Sequence, residues 1–172
     1  MNKLKYYSGA VSLNEELKYI ESIVLHYDVA NENRWRPITG CLDAFFDRLN
    51  KAGKGIAACY QHDEHQLIGV WRDFVNDNGV LSAKMYYSET PFVRDTVLPQ
   101  VRDGILQGAS PTIAPLKMNT KDGIDNIHEG VLCEISLVGL PADMDADILK
   151  LSASMQAQEN RELNFDIELL II

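Results

Sequence analysis

The chain has 172 residues, enough for one domain with a substantial core and short for two. Apolar residues make up 46% and charged residues 24%, a globular composition with no tract poor enough in hydrophobics to read as disordered. Acidic side chains outnumber basic ones 25 to 16, and the net charge of −9 excludes a general phosphate-binding surface and, with it, nucleic acid as a direct partner.

Three cysteines, Cys41, Cys59 and Cys133, lack metal-site spacing, and no basic segment followed by an apolar stretch heads the chain, so a reducing cytoplasm is the expected setting. The longest apolar run, IELLII at Ile167–Ile172, is far below the roughly 20 residues that span a bilayer. It reads as a docking segment, and no membrane association is expected.

In chain order, Leu13–Tyr27 begins with acidic residues at helical spacing and ends on alternating Ile20, Ser22, Val24 and His26, which predicts a short helix or turn running into a strand. Asp28–Pro37 is polar and closes on proline, the signature of a loop. Leu42, Phe45, Phe46 and Leu49 fall at i, i+3, i+4 and i+7 with glycines just beyond, predicting an amphipathic helix. Strand-like runs follow at Ile56–Gln61, Leu67–Val75 and Val80–Tyr86, with turn signals at Asp63–Glu64 and Asn76–Gly79, so the last two strands should form a hairpin.

Ser88 or Thr90 with Pro91 starts a further helix, in which Val93, Val97, Val101 and Ile105 recur every four residues and Pro99 should kink or split the element. QGASPTIAPL, Gln107–Leu116, places Ser110 where that helix ends and a strand begins. The last regular run is Glu129–Asp143. Strict alternation there puts Val131, Cys133, Ile135 and Leu137 on one face and Leu132, Glu134, Ser136 and Val138 on a more polar one. About six strands and two or three helices, with no repeat or linker, predict a single mainly-β α+β domain over residues 1–172, a barrel or sandwich with helices packed around it.

A serine becomes a nucleophile only when a base takes its proton and a third group orients that base. His26, His62, His65 and His128 are the possible bases, and His62 is the best placed, at the end of a strand beside an acidic turn. Read locally, each piece has a plain alternative. Ser110 after Gly108-Ala109 is a turn residue or a nucleophile, His62 and His65 are solvated or two members of an incomplete metal site, and Glu134 is a surface or an orienting carboxylate. GASPT also lacks the second glycine of the G-x-S-x-G elbow, which removes the α/β-hydrolase reading.

The order of these pieces is more telling than any one of them. YQHDEHQLIGVW, then a helix, then GILQGASPTI, then VLCEISLVGLPADMDA resembles the prohead proteases of tailed bacteriophages. That family strings together a His-Asp followed by Ile-Gly, a Gly-x-Ser after the central helix, and a Glu-(Ile/Val)-Ser-(Leu/Ile)-Val…Pro-Ala segment. RPITGCLDAFFDRL is similar to the family's Pro-Gly-Ala-Phe helix entrance, and the likeness covers about residues 20–150, leaving 152–172 as a tail.

The resemblance implies a herpesvirus-assemblin-like β-barrel with a few helices, and a serine endopeptidase in which Ser110 is the nucleophile and His62 the general base. An acidic residue fills the third role. Glu134 and Glu129 are the candidates, and alternation favours Glu134 because Glu129 would face the core with Val131 and Cys133, unless a bulge reverses the choice. No metal or organic cofactor is implied. The implied partners are the major capsid protein with its scaffold segment, other prohead proteins and the protease itself, met inside the procapsid in the host cytoplasm. The apolar FDIELLII tail would support a homodimer or higher homo-oligomer.

One departure bears on mechanism. Where the family commonly has Gly-Leu-Ser-Ile-Gly-Phe, this chain has Gly108-Ala109-Ser110-Pro111-Thr112-Ile113, and Pro111 removes the backbone N–H after the serine. The oxyanion must then be held elsewhere, with Leu137–Leu140 as the expected loop. Pro111 also gives the competing reading its best footing, an inactive protease-fold protein that serves as scaffold or assembly chaperone of the immature head. A binding module unrelated to phages, in which the motifs coincide by chance, is the third.

Overall fold

The computed structural model describes the backbone of residues 4–5 and 11–14 and all of residues 18–31 and 33–139. In chain order the elements are β1 (Leu4–Lys5), β2 (Val11–Asn14), β3 (Tyr19–His26), β4 (Trp35–Pro37), α1 (Asp43–Lys51), β5 (Ile56–Tyr60), β6 (Asp63–Asp77) and β7 (Val80–Tyr87). A π-helical segment (Val93–Val97), α2 (Leu98–Arg102), β8 (Gly108–Lys121) and β9 (Ile124–Val138) complete the fold.

One nine-stranded sheet holds these strands in the order β1-β8-β9-β5-β6-β7-β3-β2, with β4 added in parallel to β9. The chain is mainly β, as its strand-rich sequence predicts. The expected barrel is not formed. The path ends at β1 and β2, and among the described residues these do not pair with each other and β1 meets β8 only through Leu4 and Lys5. Closure needs a continuous ladder around the circumference, and the described residues make none, so the sheet they form is open.

Turn chemistry accounts for the central meander. Asn78 and Gly79 both take left-handed backbone between the paired Asp77 and Val80, the two-residue hairpin that an Asn-Gly sequence favours. The preceding turn departs from expectation: it is Gln61–His62, not Asp63–Glu64, because Tyr60 pairs with Asp63 and β6 starts there. Gly69 in β6 allows the close approach of β7, since a Cβ there would meet Tyr86 O at 2.4 Å.

At the N-terminal end, Ile20, Ser22, Val24 and His26 lie in β3 as their alternation predicts, and Leu13 and Asn14 belong to β2, antiparallel to it. The acidic Glu15 and Glu16, on which the expected short helix or turn rests, lie outside the described residues. Within the expected loop, Trp35–Pro37 forms β4. The helix at Asp43–Lys51 forms as its periodicity predicts, with Leu42 fully buried just ahead of it and Phe45, Phe46 and Leu49 packed on the core. Pro99 distorts its helix without breaking it: the π-helical segment runs directly into α2, with Val97 and Leu98 both in right-handed helical conformation at the junction, and Pro99 lacks the N–H that would follow the Leu98-to-Val93 bond in the ladder. Ile105 falls past the helix and is exposed.

The core joins Ile20, Val24 and Leu25 of β3, Ile68 and Trp71 of β6, Leu81 and Met85 of β7, Val93, Val97 and Val101, and Ile113, Leu132, Ile135 and Leu137 of β8 and β9. Fully buried Trp71 donates its indole Nε1–H to Ile135 O at 3.0 Å, pinning β9 from across the core. No helix among the described residues is long and apolar enough to cross a membrane. The IELLII tail lies outside the described residues.

Candidate active site

Three segments remote in sequence meet at one point of the sheet: the turn after β5, the start of β8 and the end of β9. Strand β9 is central to the site because β8 flanks it in antiparallel fashion and β5 in parallel. Ser110 is paired with Ser136, and Thr112 with Glu134. Side chains two apart on a strand share a face and paired residues share it across the ladder, so these four polar side chains form one cluster. All four are buried, Ser110 at 2% exposure and Glu134 at 4%.

His62 enters this cluster from the turn. Gln61 and His62 both have positive φ, 52° and 62°, in a region where residues other than glycine are held at a cost of order 1–3 kcal/mol each. Two hydrogen bonds to β9 hold them there. Gln61 N–H donates to Leu137 O at 3.0 Å, and His62 N–H donates to Ser136 Oγ at 3.0 Å.

The imidazole then reaches Glu134, with Nδ1 2.9 Å from Oε1. Thr112 Oγ1 also donates to Oε1, and Ser136 Oγ donates to Oε2 at 2.7 Å. Burial pushes the Glu134 carboxyl pKa up, but the hydrogen bonds from His62, Thr112 and Ser136 and the His62 charge outweigh it, and the net direction is down. An ionised carboxylate only accepts hydrogen bonds, so the neutral imidazole carries its proton on Nδ1 and keeps its lone pair on Nε2. That is the tautomer a general base needs. Ser110 Oγ has no hydrogen-bond partner among the described residues and faces this cluster from the opposite strand.

The remaining candidates lie apart from it. Glu129 is exposed and opposite Lys117, not directed at the core as alternation implies. The reason is a set of β-bulges. Ile113 pairs with Leu132 and Thr112 with Glu134, so Cys133 is an extra residue in β9; it is exposed, and Leu132 takes the core position. The bulge precedes Glu134 and leaves Glu134 and Ser136 in phase with Thr112 and Ser110. His65 N–H donates to the Asp63 carboxylate, His128 Nε2 lies 2.8 Å from Asn119 Oδ1, and His26 closes β3 opposite Val80. Among the described residues no three His, Cys, Asp or Glu side chains converge as a metal site.

Of the expected oxyanion loop, Leu137 and Val138 are still ladder residues, paired with Ala109 and Gly108, and Leu140 lies outside the described residues. Thr112 and Ser136 were not among the residues the sequence singled out. The signal was present, since Thr112 is two residues from Ser110 and Ser136 two from Glu134.

Residues 20–161 match the family of caudovirus prohead serine proteases, Peptidase_S78. No curated protein matches the chain by sequence. In fold it is similar to the bacteriophage T4 capsid assembly protease, gp21, with a TM-score of 0.61 at 18% identity over 81% of this chain and 96% of that one.

Proposed function

Given that the chain belongs to the caudovirus prohead serine protease family, we propose that it is an active endopeptidase of head maturation working through a Ser110–His62–Glu134 triad. The observation that carries this reading is the 2.9 Å contact between His62 Nδ1 and the buried Glu134 carboxylate, made on the strand that also faces Ser110. A buried carboxylate bound to one imidazole nitrogen leaves the other free to act as base, and the free nitrogen belongs to a cluster that includes a serine hydroxyl.

In the proposed reaction His62 Nε2 takes the Ser110 hydroxyl proton while Oγ bonds to the scissile carbonyl carbon. Glu134 stabilises the imidazolium without taking the proton. The tetrahedral intermediate collapses as His62 returns the proton to the leaving amine, which gives an acyl-enzyme and the first product. Water, deprotonated by His62, then cleaves the ester and restores Ser110. Pro111 offers no N–H, so the oxyanion donors come from outside the residue after the nucleophile. These steps call on no metal or organic cofactor.

The substrates in this reading are the scaffold segment of the major capsid protein, other prohead proteins and the protease itself, cleaved inside the procapsid. Support comes from the family and from the fold shared with a capsid assembly protease. Co-expression with the capsid protein of the same phage tests it. The intact chain should shorten the capsid protein and Ser110→Ala should leave it full length; equal, uncut capsid protein with both chains would favour the inactive scaffold.

A further inference from the structure

We infer that Ser136 is a positioning residue that locks the His62 turn and the Glu134 carboxylate to each other, so that imidazole and carboxylate stay in register while the proton moves. The inference rests on the triad reading above for its catalytic consequence, but its structural content stands on separate observations.

Ser136 Oγ is the only hydroxyl among the described residues that contacts both the His62 backbone and Glu134. It accepts from His62 N–H at 3.0 Å and donates to Glu134 Oε2 at 2.7 Å. A hydroxyl has one proton to give, and with the carboxylate taking it, the oxygen lone pairs are left for the backbone N–H. The hydroxyl orientation is therefore set from both sides. Ser136 is 0% exposed, so no water replaces either bond when the hydroxyl is removed.

The location explains why such a clamp is needed. In the ladder between β5 and β9, Tyr60 pairs with Leu137, and beyond it the chain leaves the sheet through two left-handed residues. Gln61 N–H still finds a backbone carbonyl on β9, but His62 N–H meets a side chain instead. Ser136 thus continues the ladder by one bond past the point where the backbone can. With that bond absent, the strained turn would be tied to β9 by Gln61 N–H alone, and His62 itself would be held by the Nδ1 contact. Thr112 steadies the other carboxylate oxygen, the one His62 also meets.

The test uses the full chain with histidine ring nitrogens labelled for NMR, and a fluorophosphonate to report Ser110 reactivity. In the wild-type chain, neutral His62, assigned by its absence in His62→Ala, should be one tautomer with the proton on Nδ1. Ser136→Ala should mix the tautomers and slow Ser110 labelling about tenfold or more, one orienting hydrogen bond's worth of barrier. Ser136→Cys keeps a weak donor and acceptor of similar size and should fall between the two. Thermal melts establish that each variant is folded at the assay temperature, and the Cys variant carries the test if Ala does not fold.

An unchanged tautomer and labelling rate in Ser136→Ala would overturn the inference, as would Cys and Ala behaving alike, the mark of a packing role only. A wild-type chain that shows the tautomer but never labels at Ser110 would overturn the protease reading. Loss of the tautomer in Ser136→Ala would still uphold the positioning role.

Discussion

Glu134 is the residue on which the site's electrostatics turn. Its two oxygens accept from His62, Thr112 and Ser136, three donors converging on one buried acceptor. Replacing it by glutamine puts an amide NH2 among donors that need acceptors, and the imidazole is free to move its proton to Nε2. Glu134→Gln should slow Ser110 labelling by about 10⁴-fold, the scale seen when an orienting carboxylate is replaced by its amide. It should also destabilise the fold by about 1–3 kcal/mol for the buried polar atoms left mismatched.

The same carboxylate sets an acid limit. Its pKa is lower in the folded chain than the usual 4.5, so the folded form holds its proton less tightly than the unfolded one. Its stabilising contribution is complete above that usual value and is lost as pH falls through the depressed folded value. The difference in Tm between wild type and Glu134→Gln should therefore be constant near neutrality and shrink steadily below about pH 4.5, as measured by thermal melts. A difference that grows on acidification would contradict the assigned direction.

At the scale of elements, β9 carries the site because it is clamped on every side. β8 and β5 flank it, β4 extends it, and Trp71 reaches Ile135 O from β6, between the two residues that hold His62 in place. Trp71→Phe keeps most of the ring but strands that carbonyl, which predicts a loss of about 1–3 kcal/mol in denaturant unfolding. If Trp71 only fills space, the loss should instead follow the small change in apolar volume.

Elements whose cause is local were legible in the sequence: the helix of Phe45, Phe46 and Leu49 from its period, the β6–β7 hairpin from the turn signals at Asn76–Gly79, the disturbance at Pro99, and the strand around Ser110. Features made by distant partners were not. The bulge that ejects Cys133 arises from how β9 pairs with β8, and β4 exists only because β9 lies alongside it. Nothing within either segment announces them, and strict alternation therefore misassigned Leu132, Cys133 and Glu129. Ser136 was placed on the face of Glu134 correctly, but only the fold brings the His62 turn to it.

On the scale of the molecule, the site exists only when the whole sheet does. His62 and Glu134 are 72 positions apart, and the turn, β8 and β9 come together only through the sheet. Global unfolding and loss of Ser110 reactivity should then be a single event. The central claim, that Ser110 is a nucleophile activated by His62, is tested most directly by treating the folded chain with a fluorophosphonate and mapping the adduct by peptide mass spectrometry. The account predicts one adduct, on Ser110, lost in His62→Ala; no adduct on Ser110, or one that forms equally fast without His62, would contradict it.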